Sequence, residues 1–147
     1  MSKKLDVLDP HPLLIAAAQM HSDDMINQNI YIHISPKSKK HKTMYDRVRS
    51  VGGIFDYISE NILENNPYNL HNGEEYSWTE NNGIKNYYIT KTKKPIGKLT
   101  YNELAEKLVN QWLNSTPHRK NILNKNIKYM GVNTAISSTP IKKSMIS

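Results

Sequence analysis

The sequence predicts an α+β domain that carries an inserted β-hairpin. Apolar residues recur at helical spacing in several segments that open with capping residues, which is typical of helices packed on a core. Asn82-Gly83 stands between two segments rich in aromatic and charged residues and predicts a tight hairpin turn. A chain of 147 residues is long enough to bury one core. We therefore expect a single domain over residues 1–147, with the hairpin insertion at about residues 65–99.

The first helix is predicted to begin at Asp9-Pro10, where a capping side chain precedes a proline. The polar residues 27–29 end it. Its inner face has the spacing i, i+3, i+4, i+7 and i+11 and consists of Leu14, Ala17, Ala18, His21 and Met25. We interpret His21 as a half-buried histidine with satisfied hydrogen bonds rather than as a ligand. Residues 30–34 follow as a predicted short strand or extended segment that carries His33.

A lysine-rich loop over residues 36–42 leads to the second predicted helix and is interpreted as solvated. Thr43 and Asp46 have the spacing of a capping box, and the helix stops at Gly52-Gly53. Its inner face consists of Met44, Val48 and Val51.

Residues 54–58 are predicted to form a strand or turn that leads to Glu60, an isolated acid with apolar neighbours. Burying a carboxylate without partners is very costly. The Glu60 side chain is therefore expected either to face solvent or to be held by specific donors.

The Asn82-Gly83 turn fixes a cross-strand register if its loop has two residues. One face of the hairpin then carries the pairs Glu80–Lys85, Trp78–Tyr87, Tyr76–Ile89 and Glu74–Lys91. Pairs of these types stabilise a hairpin by roughly 0.2–1 kcal/mol each. The hairpin is either a surface decoration or a flap over a groove.

Thr100 and Glu103 form a second predicted capping box, which opens a helix with Leu104, Leu108 and Trp112 on one side. Another helix is predicted to begin at Thr116, with Thr116 as cap and Pro117 in the first helical position. His118 and Arg119 then lie in its first exposed turn. Alternation from Met130 to Ile136 predicts a half-buried strand, and residues 137–147 are a candidate for one more.

The composition narrows the range of partners. There are 20 Lys+Arg against 13 Asp+Glu, a formal charge of +7 that favours anionic surfaces. The lysines are scattered rather than set in a stripe with aromatic residues, so we do not expect a nucleic-acid reader. Cysteine is absent, which excludes disulfides and thiol chemistry. No apolar segment reaches the ~20 residues of a membrane span.

The amino terminus shows no signal peptide, because Met1 to Lys4 is followed by Asp6 and Asp9 rather than by an apolar segment. Either the protein is cytoplasmic or its leader is missing from this sequence.

Three separated stretches share one pattern. They are Ala17-Ala18-Gln19-Met20-His21-Ser22 leading to His33-Ile34-Ser35-Pro36, then Glu60-Asn61-Ile62, then Trp112-Leu113-Asn114-Ser115 with His118-Arg119-Lys120-Asn121-Ile122-Leu123. Together they resemble the CAP superfamily (cysteine-rich secretory, antigen 5 and pathogenesis-related 1 proteins), in particular its cysteine-free bacterial branch. The resemblance covers roughly residues 13–136 and implies an α-β-α sandwich of the CAP/SCP type. The chain lacks the usual first helix of the family, so it is either trimmed at both ends or a minimal member.

The resemblance also implies an extracellular or cell-surface location and a cleft lined by two histidines and acidic residues. His33 and His118 match the two histidines, and Glu60 matches the acid of the Glu-Asn-Ile motif. The second acid of eukaryotic members corresponds to Asn110, so the set of four is incomplete. Arg119 is a further candidate, either as an anion contact or as a partner for a carboxylate such as Glu60. A lipidated cysteine upstream of this sequence is a hypothesis for surface anchoring.

Three functions remain open on this basis. The first is a non-enzymatic, monomeric binding module whose cleft takes a lipid, a peptide or an anionic wall or host ligand. The second is a zinc-dependent hydrolase, because two neutral imidazoles and one carboxylate, here His33, His118 and Glu60, are donors that zinc accepts. The third is an adhesive domain with its ligand surface on the hairpin.

Overall fold

A computed structural model describes residues 4–71 and 73–137, and within them it contains four helices and two sheets of two strands each. The elements are, in chain order, β1 (Asp9–Pro10), α1 (Pro12–Gln28), α2 (Met44–Ser50), β2 (Tyr76–Asn81), β3 (Ile84–Ile89), α3 (Tyr101–Asn114), α4 (Thr116–Ile122) and β4 (Tyr129–Met130). The predicted α+β class is confirmed. No described helix is both long and apolar enough to cross a membrane.

The chain divides into two compact units. Unit 1 comprises Met1–Ile62 and Ser115–Ser147, and unit 2 comprises Leu63–Asn114. Unit 1 contains α1, α2, α4 and the β1–β4 pair. Unit 2 contains the β2–β3 hairpin and α3.

The predicted start of the first helix was two to three residues early. Asp9 and Pro10 form β1, which pairs in parallel with Tyr129 and Met130 of β4. The helix begins instead at Pro12, and the Nδ1 atom of His11 accepts a hydrogen bond from the Leu13 N–H at 3.3 Å. A proline in the first turn suits a helix start because its missing N–H would have no partner there.

Unit 1 has a small apolar core with a polar centre. Its buried apolar residues are Ala17, Val48 and Ile62, and its buried polar residues are His21, Ser22, Ser35 and Arg47. α1 packs against α2 and β4. Most polar groups buried in this number bond to one another, since unpaired polar groups are costly away from water. The prediction for His21 was wrong in part, because the residue is buried rather than half-buried and its Nε2 atom has no hydrogen-bond partner among the described residues.

The second helix is confirmed. Thr43 caps α2, its side chain accepts from the Asp46 N–H, and the Asp46 carboxylate accepts from the Thr43 N–H. The segment at residues 30–34, in contrast, contains bends and no strand. The lysine-rich loop is closed by a hydrogen bond from the Ser35 N–H to the Lys42 carbonyl at 2.8 Å.

The predicted strand over residues 130–136 was too long, because only Tyr129 and Met130 pair. Its partner β1 offers two residues before the chain turns into α1. Gly131 then passes directly against the α1 backbone, and a Cβ atom there would lie 2.1 Å from the carbonyl carbon of Leu14. The further strand proposed within residues 137–147 falls almost wholly outside the described residues.

The hairpin of unit 2 has the predicted turn and register. Asn82 and Gly83 have φ angles of 51° and 77°, and Trp78 lies opposite Tyr87. The pairs Glu80–Lys85 and Tyr76–Ile89 are also present. The fourth predicted pair, Glu74–Lys91, lies outside the ladder, because the chain turns after Ile89 and its Lys93 N–H donates back to the Ile89 carbonyl.

The capping box that opens α3 is confirmed as well. The Thr100 hydroxyl accepts from the Glu103 N–H at 3.3 Å, and the Glu103 carboxylate accepts from the Thr100 N–H at 2.8 Å.

Candidate functional site

The candidate site in unit 1 is built around the Glu60 carboxylate. Its Oε2 atom accepts a hydrogen bond from Arg47 Nη2 at 2.6 Å, and its Oε1 atom accepts one from His33 Nδ1 at 2.9 Å. The Glu60 side chain is 18% exposed and that of His33 is 55% exposed. Glu60 therefore lies under a partly open surface and holds the exposed imidazole in place.

Arg47 supplies the positive charge that compensates for the burial of the Glu60 carboxylate. Its side chain is 1% exposed, and it also donates to the backbone carbonyls of Lys42 and His33 at 3.3 and 3.2 Å. The guanidinium is thus paired and hydrogen-bonded, as a buried charge must be. Sequence analysis missed Arg47 and considered Arg119 as the partner of Glu60.

His21 and Ser35 lie behind Glu60. The Nε2 atom of His21 is 3.8 Å from Glu60 Oε1, and its Nδ1 atom is 3.3 Å from the Ser35 hydroxyl. This order of hydroxyl, imidazole and carboxylate is that of a nucleophilic triad. Ser35 is 0% exposed, however, so no substrate reaches its hydroxyl. We conclude that the three groups form a structural network.

The charges of this network follow from its environment. Burial raises the pKa of Glu60, but the hydrogen bond from His33 and the charge of Arg47 outweigh it, so the pKa lies below the ordinary value. Burial lowers the pKa of His21, assisted by Arg47 and opposed by Glu60. Glu60 is therefore ionised and His21 neutral near pH 7.

His118 is joined to the same segment through α4. Asn61, the residue after Glu60, donates from its side-chain amide to the His118 carbonyl at 3.1 Å. Asn121, one turn further along α4, donates from its amide to Asn61 Oδ1 at 2.8 Å. These two asparagines hold α4 against the segment that carries Glu60. The sequence motifs did not indicate this role for either of them.

The cap of α4 differs from the prediction. Ser115 rather than Thr116 is the N-cap residue, and Pro117 follows in the first turn. The Ser115 hydroxyl makes no capping bond, because it is engaged with His118 Nδ1 at 2.8 Å. The contact fixes the ring of His118, which is half-buried.

The structure thus joins His33 and Glu60 directly and ties the His118 backbone to the neighbouring Asn61. Arg119 is exposed on α4. Asn110 is exposed on α3, in unit 2. The role of these residues in a cleft stays a prediction.

The donor set does not suit a zinc ion. Within residues 4–71 and 73–137, no three His, Asp or Glu side chains are arranged to hold a metal. Both Glu60 oxygens already accept hydrogen bonds, and one of the donors is the permanently charged Arg47. A cation beside this carboxylate would meet the charge of the guanidinium at close range.

Comparisons with known proteins agree with this fold. The model of the cysteine-rich secretory protein family, CAP, matches residues 2–141. The structure is similar to the 1.5 Å crystal structure of an extracellular protein containing an SCP domain from Bacillus anthracis str. Ames, with a TM-score of 0.53 and 23% sequence identity. The similarity covers 89% of this chain and 31% of that chain, so the chain spans less than a third of that protein's length. No curated protein gives a significant match.

Proposed function

The chain belongs to the cysteine-rich secretory protein (CAP) family and has its α+β fold, and on that premise we propose that it is a secreted or cell-surface binding module without enzymatic activity. The ligand surface in this proposal is the exposed side of His33 together with His118 of α4, whose backbone carbonyl is bonded to Asn61. The domain type is extracellular in the structural neighbour, which supports the location.

The observation that carries the proposal is the environment of Glu60. Its two oxygens accept from Arg47 and His33, and the charge of Arg47 makes the carboxylate a weaker base and opposes a cation beside it. With Glu60 ionised, its bond to His33 places the imidazole proton on Nδ1. The Nε2 atom of a neutral His33 is then an acceptor on a side chain that is 55% exposed. It suits a ligand that offers an O–H or N–H group.

The ligand classes follow from this acceptor and from the surface charge. A formal charge of +7 favours an anionic surface, such as a bacterial wall polymer or a membrane with anionic lipids. A peptide or lipid headgroup with a hydroxyl or amide donor fits His33 equally well. Arg119, which is exposed on α4, is proposed as a further contact of the same cleft.

Binding measurements on matched histidine variants test the proposal. The probes are insoluble peptidoglycan and vesicles of phosphatidylglycerol and phosphatidylcholine, and the variants are His33→Ala and His118→Ala. His71→Ala is the control, because His71 is exposed in unit 2. We expect a loss of about tenfold for His33→Ala, the equivalent of one hydrogen bond to a neutral group, and none for His71→Ala. Unchanged binding by folded His33→Ala and His118→Ala would refute the proposal.

The zinc-dependent hydrolase is the alternative derived from the sequence, and calorimetric titration with zinc chloride at neutral pH tests it. The contacts of Arg47 with Glu60 lead us to expect no tight site. A single zinc site that disappears in both His33→Ala and His118→Ala would favour the hydrolase.

A further inference from the structure

The loop between α1 and α2 forms an open cavity of about 340 Å³. We call it the lysine-loop pocket, and its lining residues are Asp24, Gln28, Lys37, Ser38, Lys39, Lys40 and His41. It contains none of the residues of the His33 cleft. Its volume lies within the range of small-molecule sites.

The backbone of this loop is held in place before any ligand arrives. The Lys37 N–H donates to the Gln28 side chain at 3.2 Å, which ties the loop to the last turn of α1. The His41 N–H donates to the Ser38 hydroxyl at 3.1 Å. A loop fixed by such bonds loses less entropy on binding than a free one.

The charge of the lining is positive. Three lysines line the pocket against one acid, Asp24. The Oδ2 atom of Asp24 is shielded from solvent and lies 3.5 Å from His41 Nε2, so the acid of the lining already contacts an imidazole. The lysines of the lining, Lys37, Lys39 and Lys40, are all exposed. No lining residue other than Asp24 is acidic.

We propose that the lysine-loop pocket binds a phosphate group. Lysine ammonium groups act as mobile point charges, and phosphate offers several oxygens that more than one of them can reach. Two sources of such a phosphate fit this chemistry, a soluble or polymeric polyol phosphate and a lipid headgroup.

Two double variants separate the pocket from the overall charge. Lys39→Glu/Lys40→Glu reverses two charges in the pocket. Lys91→Glu/Lys94→Glu is the matched control, because it reverses two exposed lysines in unit 2 and gives the same net charge. Glycerol 3-phosphate is titrated by calorimetry, and vesicles with and without phosphatidylglycerol are used in a sedimentation assay. Far-UV circular dichroism verifies that each variant is folded.

We expect Lys39→Glu/Lys40→Glu to weaken binding by about 30-fold or more, since each lysine near an anionic surface contributes roughly fivefold. The control variant should lose far less. Added salt should weaken binding, because the lysines are exposed. Binding to glycerol 3-phosphate identifies a soluble or polymeric phosphate as ligand, and binding only to phosphatidylglycerol vesicles identifies a headgroup. Equal losses in the two variants, or no binding to either probe, would refute the phosphate site.

The outcome is independent of the His33 cleft. His33→Ala should bind glycerol 3-phosphate as the unaltered chain does, because His33 does not line the pocket. A failure of the phosphate site would leave the proposed cleft untouched, and the reverse also holds.

Discussion

Replacing Arg47 with methionine is expected to lower the free energy of unfolding by about 3–5 kcal/mol. Methionine keeps most of the volume but removes the charge that faces Glu60 at 2.6 Å. Breaking a buried ion pair from one side costs about this much, because the remaining charge stays desolvated. The carbonyls of Lys42 and His33 also each lose one donor, although Lys42 keeps the bond from the Ser35 N–H. Lys42 and His33 are exposed, so water replaces part of that loss.

Arg49→Met is the matched control, since Arg49 lies on the same short helix and is exposed. Urea unfolding followed by circular dichroism gives the free energies, and we expect the control to change by less than about 0.5 kcal/mol. The double variant Arg47→Met/Glu60→Gln should recover part of the loss, because it leaves no unpaired charge. Equal stability of Arg47→Met and Arg49→Met would refute the role of Arg47. Strict additivity in the double variant would refute its coupling to Glu60.

Three further predictions concern other parts of the molecule. Burial lowers the pKa of His21 in the folded protein, so the unfolded chain binds a proton at this histidine first as the pH falls below about 6.5. The free energy of unfolding, measured with urea, should therefore decrease below that pH, and it should decrease less steeply in His21→Gln. Gly131→Ala should destabilise by about 1–3 kcal/mol through overlap with the α1 backbone, whereas Gly97→Ala, with open space around it, should not. A double-mutant cycle of Trp78→Ala and Tyr87→Ala should give a coupling of roughly 0.5–1 kcal/mol, and zero would contradict the register.

The features that sequence predicts well are held by contacts within a few residues. The capping boxes at Thr43–Asp46 and Thr100–Glu103 and the turn at Asn82-Gly83 each depend on neighbouring residues alone. The extent of β4 was overestimated because strand length depends on a distant partner. That partner, β1, ends when α1 begins at Pro12.

The surroundings of Glu60 could be predicted only in part from the sequence. A buried Glu60 is expected from the sequence to need hydrogen-bond donors. The helical spacing of Met44, Val48 and Val51 places them on the inner face of a helix. Arg47 occupies the i+3 position of that same face, so the two observations together point to it. His21 was placed on the inner face of the first helix in the same way, but nothing in the sequence indicates that this face meets the segment that carries Glu60.

The Arg47 guanidinium is hydrogen-bonded to two backbone segments, and each segment lies at a different proposed ligand site. Arg47 donates to the carbonyl of Lys42, where the lysine loop ends, and to the carbonyl of His33. Removing this guanidinium would therefore release a backbone contact in each segment at the same time. The two proposed ligand sites share one buried anchor, although no described residue lines both of them.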